Sequence, residues 1–222
     1  MKWSEIFTSS VGKKLVMGLT GLFLISFLVV HVGINACIWA NDDGAMFNRA
    51  AHFMGSSYVI RILEIGLMAG FLIHIIQGLV LEFQNRSKRT VGYQVNLGNR
   101  GSKWYSRSMG LLGTLILLFL IIHLSQFWYP NRSHQGWLLG EELNLFDRMK
   151  TTFSELWVVI IYVLGCFSLC WHLVHGFQSA FRTLGVSNNR YLSMINNIGI
   201  GFSVIVSLVF AMMPVSMYLG WV

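Results

Sequence analysis

Four histidines, His31, His74, His123 and His172, fall one apiece in four successive apolar stretches of a 222-residue chain. An ionisable ring at membrane depth is costly and needs either a partner or a function. Neutral imidazole is a strong axial ligand for haem iron, and coordination compensates the ring for the water it gives up. Four such rings on four helices, used two by two, could hold two haems. The sequence contains no Cys-x-x-Cys-His, so haem held this way would be non-covalent, of b type.

The elements that must carry these rings follow from composition. The chain is 55% hydrophobic and 11% charged, with a mean hydropathy of +0.60, which marks an integral membrane protein. Long apolar runs, 22 glycines and only two prolines suit packed helices rather than a barrel, so the fold class is all-α. Runs of spanning length lie at about 14–39, 57–83, 105–129, 154–181 and 194–219, within one transmembrane domain covering 1–222. Asn41 to Ser56, Gln84 to Trp104, Pro130 to Phe153 and Arg182 to Ser193 read as short polar connections. Lys13 and Lys14 precede an apolar run too long for a signal peptide, so it reads as a retained first helix.

Charge sets the direction. With the N-terminus in the cytoplasm, the inner side collects Lys2, Lys13, Lys14, Arg86, Lys88, Arg89, Arg100, Lys103, Arg107, Arg182 and Arg190. The outer side keeps Arg49, Arg61, Arg132, Arg148 and Lys150. The positive-inside rule therefore places the N-terminus inside and the C-terminus outside. Trp3, Trp39, Trp104, Trp128, Trp157 and Trp221 sit near span ends, as interfacial anchors do. Nucleic acid is not an expected partner of such a chain. Cys37, Cys166 and Cys170 form no even framework and read as small packing residues.

Depth pairs the histidines. On the outward-running helices His31 lies 17 residues past Lys14 (~26 Å) and His123 lies 16 past Arg107 (~24 Å). On the inward-running helices His74 lies 12 residues before Arg86 (~18 Å) and His172 lies 10 before Arg182 (~15 Å). His31 with His123 thus forms an outer pair, and His74 with His172 an inner pair, offset by roughly 9 Å. Imidazoles that far apart in depth cannot share one zinc ion. His175, one turn past His172, is the alternative ligand on the fourth helix or a neighbour of a haem propionate or quinone. His52 and His134 lie in outer connections, where solvated side chains are the default. A faint internal repeat supports the pairing: Phe27-Leu-Val-Val-His31 parallels Phe119-Leu-Ile-Ile-His123, and His74-Ile-Ile-Gln-Gly78 parallels His172-Leu-Val-His-Gly176.

The segment Ser9-Ser-Val-Gly-Lys-Lys14, leading through Met17-Gly-Leu-Thr-Gly21 to His31 and Asn35, resembles the first helix of a known family. That family is the single-subunit, five-helix, dihaem cytochrome b anchor of succinate:quinone oxidoreductases and fumarate reductases. The resemblance implies two b haems, with His74 and His172 on the one nearer an iron-sulfur subunit and His31 and His123 on the distal one. It further implies an FAD flavoprotein and an iron-sulfur subunit on the cytoplasmic face, a quinone, of menaquinone type, and a place in the cytoplasmic membrane of a bacterium. Succinate oxidation is the expected direction. Quinone reduction takes up protons, which makes Glu64, with Arg61 one turn earlier, and Glu155 candidates for the outer quinone region. An interfacial ion pair is the competing role for Glu64. Arg182 is a candidate partner for an inner haem propionate. The alternatives are a dihaem cytochrome b of fumarate reductase, a hydrogenase or a formate dehydrogenase, or a transporter without haem.

Overall fold

A computed structural model describes residues 9–87, 104–135, 143–186 and 188–222. Trp3, Lys2, Lys88, Arg89, Arg100 and Lys103, to which the sequence assigns sides or ends, lie outside the described residues. Nine α-helices are described: α1 (Ser10–Ala36), α2 (Ala45–Ser56), α3 (Tyr58–Ser87), α4 (Trp104–Arg107), α5 (Met109–His123), α6 (Tyr129–Gln135), α7 (Leu145–Phe153), α8 (Leu156–Thr183) and α9 (Asn189–Tyr218). A π-helical stretch, Leu124–Trp128, joins α5 to α6 in one rod, and a 3-10 turn, Cys37–Ala40, extends α1.

Five helices are long and apolar enough to cross a membrane: Ser10–Ala40, Tyr58–Ser87, Met109–His134, Leu156–Thr183 and Asn189–Tyr218. The all-α architecture and the five spans expected from the sequence are therefore present, with shifted ends. The first and fifth begin four or five residues earlier than expected, and the third runs past 129 because the π-helical stretch carries the rod on. Local caps fix several of these ends. The Ser9 hydroxyl accepts from the Gly12 amide at the start of α1 (3.0 Å), and the Asn188 side chain accepts from the Arg190 amide at the start of α9 (2.9 Å).

The two ends of the bundle take the names inner and outer from the sides that charge assigns them. Spans successive in the chain alternate in direction. Lys13 of α1 meets Gln84 of α3 at the inner end, whereas Arg132 of α6 meets Glu64 of α3 and Trp39 meets Ser216 of α9 at the outer end. α1 packs on α3, α8 and α9, and α5 packs on α8, so the four histidine-bearing helices surround a common interior. α9 lies along α8 and carries no histidine.

Two expected connections are not simply polar loops. Asn41 to Ser56 contains α2, and Pro130 to Phe153 contains α7; each buries apolar side chains on one face, Phe47 from α2 and Phe146, Met149 and Phe153 from α7. They join Ile38, Val158, Val159, Tyr162, Met213 and Met217 in a cluster that closes the outer end. The chain enters α2 through Asn41, Asp43 and Gly44, all at positive φ, and Gly44 lies directly against the Phe146 ring. A side chain at residue 44 would meet both the backbone penalty and that ring.

Candidate functional site

The rings of His31 and His123 face each other in the outer half of the bundle, with centroids 5.8 Å apart and planes at 85°. Each carries a phenylalanine one turn earlier on its own helix, stacked on it: Phe27 on His31 (5.2 Å, 19°) and Phe119 on His123 (5.7 Å, 26°). The repeated Phe-x-x-x-His pattern thus folds into the same local packing twice, because residues four apart share a helix face. Phe210 of α9 closes on His31 (5.5 Å), and Phe127 and Tyr162 close on His123 (5.5 and 5.9 Å). The Asn35 amide donates to the His31 carbonyl (2.8 Å) and lies 3.3 Å from His31 Nδ1.

His74 and His172 face each other in the inner half, with centroids 6.2 Å apart and planes at 69°. Thr20 Oγ1 lies 3.1 Å from His74 Nδ1, while its own proton is donated to the Val16 carbonyl at 2.7 Å. The hydroxyl therefore has a lone pair to offer, Nδ1 carries the ring proton, and Nε2 keeps the lone pair that binds metals. Glycines flank both rings. A Cβ at Gly21 would lie 3.5 Å from His74 Cε1, and one at Gly113 would lie 3.8 Å from His172 Cε1. His175 packs against Tyr105 (6.4 Å), beside the stacked pair Tyr105 and Trp171 (5.3 Å, 21°) and next to Trp104.

These spacings can be tested against a metal. With metal–nitrogen bonds of about 2 Å on either side, two axial imidazoles stand with ring centres about 6 Å apart, and both pairs have that separation. Among the described residues no group of three or more His, Cys, Asp or Glu side chains could hold a metal ion. The imidazoles come in twos, as a macrocycle supplying its own equatorial ligands requires and as a tetrahedral zinc site does not. Among the described residues Nδ1 of His123 and of His172 is buried without a hydrogen-bond partner, whereas Nδ1 of His74 has the Thr20 hydroxyl beside it.

The structure also exposes a longer repeat. Met17-Gly-Leu-Thr-Gly21 in α1 parallels Met109-Gly-Leu-Leu-Gly113 in α5, at the same 92-residue offset that relates His31 to His123. Each copy therefore carries one ring of the outer pair and the glycine that lies against one ring of the inner pair. This signal was available in the sequence beside the shorter Phe-to-His match.

Of the remaining candidates, Glu64 is the most heavily engaged. Its carboxylate accepts from Arg61 Nη1 (3.0 Å), from Trp128 Nε1 (2.6 Å) and, through both oxygens, from Arg132 Nη2 (2.6 Å). Arg61 is buried and also donates to the Gly55 carbonyl (2.6 Å). The cluster ties α2, α3, the π-helical stretch and α6 together at the outer end. Glu155 is the N-cap residue of α8, also at that end, and its side chain makes no capping bond; Arg182 lies in the last turn of α8 at the inner end. His52 and His134 lie on α2 and α6.

Neither a family model nor a solved structure matches the chain. Over 168 residues it is 29% identical to the succinate dehydrogenase cytochrome b558 subunit of Bacillus subtilis (strain 168), an alignment that covers 75% of this chain and 74% of that one. The chain is a relative of the succinate dehydrogenase cytochrome b subunits. With its five apolar spans, this cytochrome b relative is a multi-pass protein of the cytoplasmic membrane.

Proposed function

We propose that the chain is the dihaem b anchor of a succinate:menaquinone oxidoreductase, with its N-terminus in the cytoplasm. The observation that carries this reading is the pair of facing imidazoles at each of two depths, both at axial spacing. His31 and His123 would hold the outer haem, and His74 and His172 the inner one. His172 is preferred over His175 because it faces His74, while His175 packs against Tyr105. When bound, the two haems would carry single electrons from an iron-sulfur partner at the inner face to a quinone.

The chain's own residues bind, orient and insulate. Thr20 fixes the tautomer of His74. Asn35 braces the turn that carries His31 by donating its side-chain amide to the His31 carbonyl. Phe27, Phe119, Phe127 and Phe210 keep water from the outer pair. Arg182 would pair with a carboxylate side chain of the inner haem. Glu64, Arg61 and Glu155 would border the outer quinone region, where Glu64, already held by two guanidinium groups, acts as a fixed acceptor.

Lys13, Lys14, Arg107, Arg182 and Arg190 make the described inner end basic, suited to a flavoprotein and iron-sulfur pair; much of the Gln84 to Trp104 connection lies outside the described residues. Purification of the intact complex tests the reading. Co-eluting FAD, an iron-sulfur subunit and a haem b spectrum are expected. A haem-free chain would end the proposal, and a partner without flavin would point to a hydrogenase or formate dehydrogenase.

A further inference from the structure

Gln126 stands three residues past His123, inside the π-helical stretch Leu124–Trp128 that interrupts the third span. Such widened turns are rare in helices and concentrate at functional sites. Two side chains from other elements hold this one. The Tyr162 hydroxyl of α8 donates to Gln126 Oε1 at 2.7 Å, and Arg148 Nε of α7 donates to the Gln126 carbonyl at 2.9 Å.

Tyr162 is only 5% exposed, and a buried phenol needs a partner for its hydroxyl. Its ring meets Phe119 edge-on (5.0 Å), Phe153 of α7 (4.9 Å) and His123 itself (5.9 Å). It therefore touches the histidine and the phenylalanine stacked on that histidine, while its hydroxyl is tied to the turn that follows. Burial alone would be served by phenylalanine. The hydroxyl adds a link between α8 and the Gln126 side chain on the turn after His123, and Arg148 bonds the backbone of the same turn from the surface helix.

We infer that Tyr162, Gln126 and Arg148 form a positioning clamp that holds the His123 imidazole plane perpendicular to that of His31. The inference rests on the proposed role of these two rings as axial ligands. None of the three residues touches the reacting groups, so each acts through His123.

In low-spin ferric haem with two axial imidazoles, the largest g value rises as the ring planes approach a right angle. With the two rings held on a haem at the 85° they make here, the outer signal would be highly anisotropic. Releasing the clamp lets the His123 plane turn, and the largest g value of that signal should fall.

The test is electron paramagnetic resonance of the oxidised, intact complex carrying Tyr162→Phe, Arg148→Gln or Arg148→Lys, with His31→Ala assigning the outer signal. The expected result is a lowered outer g value in Tyr162→Phe and Arg148→Gln, partial return in Arg148→Lys, an unchanged inner signal and unchanged haem b content. An outer signal that stays put in complexes retaining both haems would overturn the clamp. So would movement of both signals together, or loss of the outer haem with no shifted signal, since these report general packing. A single low-spin haem in the unaltered complex would refute the ligand assignment itself, and the clamp with it.

Discussion

The two histidine pairs sit in differently built halves of one bundle. The outer pair is enclosed by rings from α1, α5, the π-helical stretch, α8 and α9, and beyond it α2 and α7 contribute Phe47, Phe146, Met149 and Phe153 to the apolar cluster that closes the end. The inner pair has glycine on one side of each ring and a threonine hydroxyl on His74. The inner rings have no side chain beside them at Gly21 or Gly113, whereas the outer rings are walled by large side chains, with Phe119 itself seated against Gly165. A flat ligand can be admitted either way. The outer half gains insulation from water, and the inner half leaves the space beside its rings free of side chains at Gly21 and Gly113. The difference teaches that histidine pairs related by an internal repeat need not share a mode of enclosure.

This contrast predicts different sensitivities. The largest effect belongs to the outer lid. Phe153→Ala removes a ring that is 3% exposed and should cost about 3–5 kcal/mol, seen on heating as early loss of the outer spectral component with the inner retained. Simultaneous loss of both components would erase the distinction between the halves. Next comes Gly113→Val, which pushes a branched side chain at His172 and should strip the inner haem while sparing the outer; difference spectra of the purified complex check it. Thr20→Val leaves the His74 Nδ1 proton without its acceptor and should weaken inner haem retention about tenfold, measured as loss to a competing apoprotein. Lys13→Ala, which breaks the partly buried bond to Gln84, should cost no more than about 1 kcal/mol and leave both spectra unchanged.

The five spans were legible because crossing a bilayer takes ~20 apolar residues, a pattern no short motif imitates. The pairing of the histidines was legible because helical rise converts sequence distance into depth, and the rings that face each other are those of matched depth. The outer lid was not read from the sequence. α7 is nine residues long, and Phe146, Met149 and Phe153 lie among Asp147, Arg148 and Lys150, so the segment looks polar until its faces are separated. The π-helical stretch has no composition of its own; Leu124–Trp128 continues an apolar run, and its bonds to partners in α7 and α8 appear only in the fold. Glu64 was found as a titratable group at the right end of α3, but Arg132, which sits 68 residues away, could be joined to it only by the fold.

The central claim is that two separate imidazole pairs each hold one b haem. Haem b per chain in the intact complex, measured by pyridine haemochrome with redox titration for the unaltered protein, His31→Ala and His74→Ala, tests it most directly. Two haems per chain are expected in the unaltered protein, with each variant losing one and the two variants losing components of different potential. One haem or none in the unaltered complex, or loss of the same component in both variants, would contradict it.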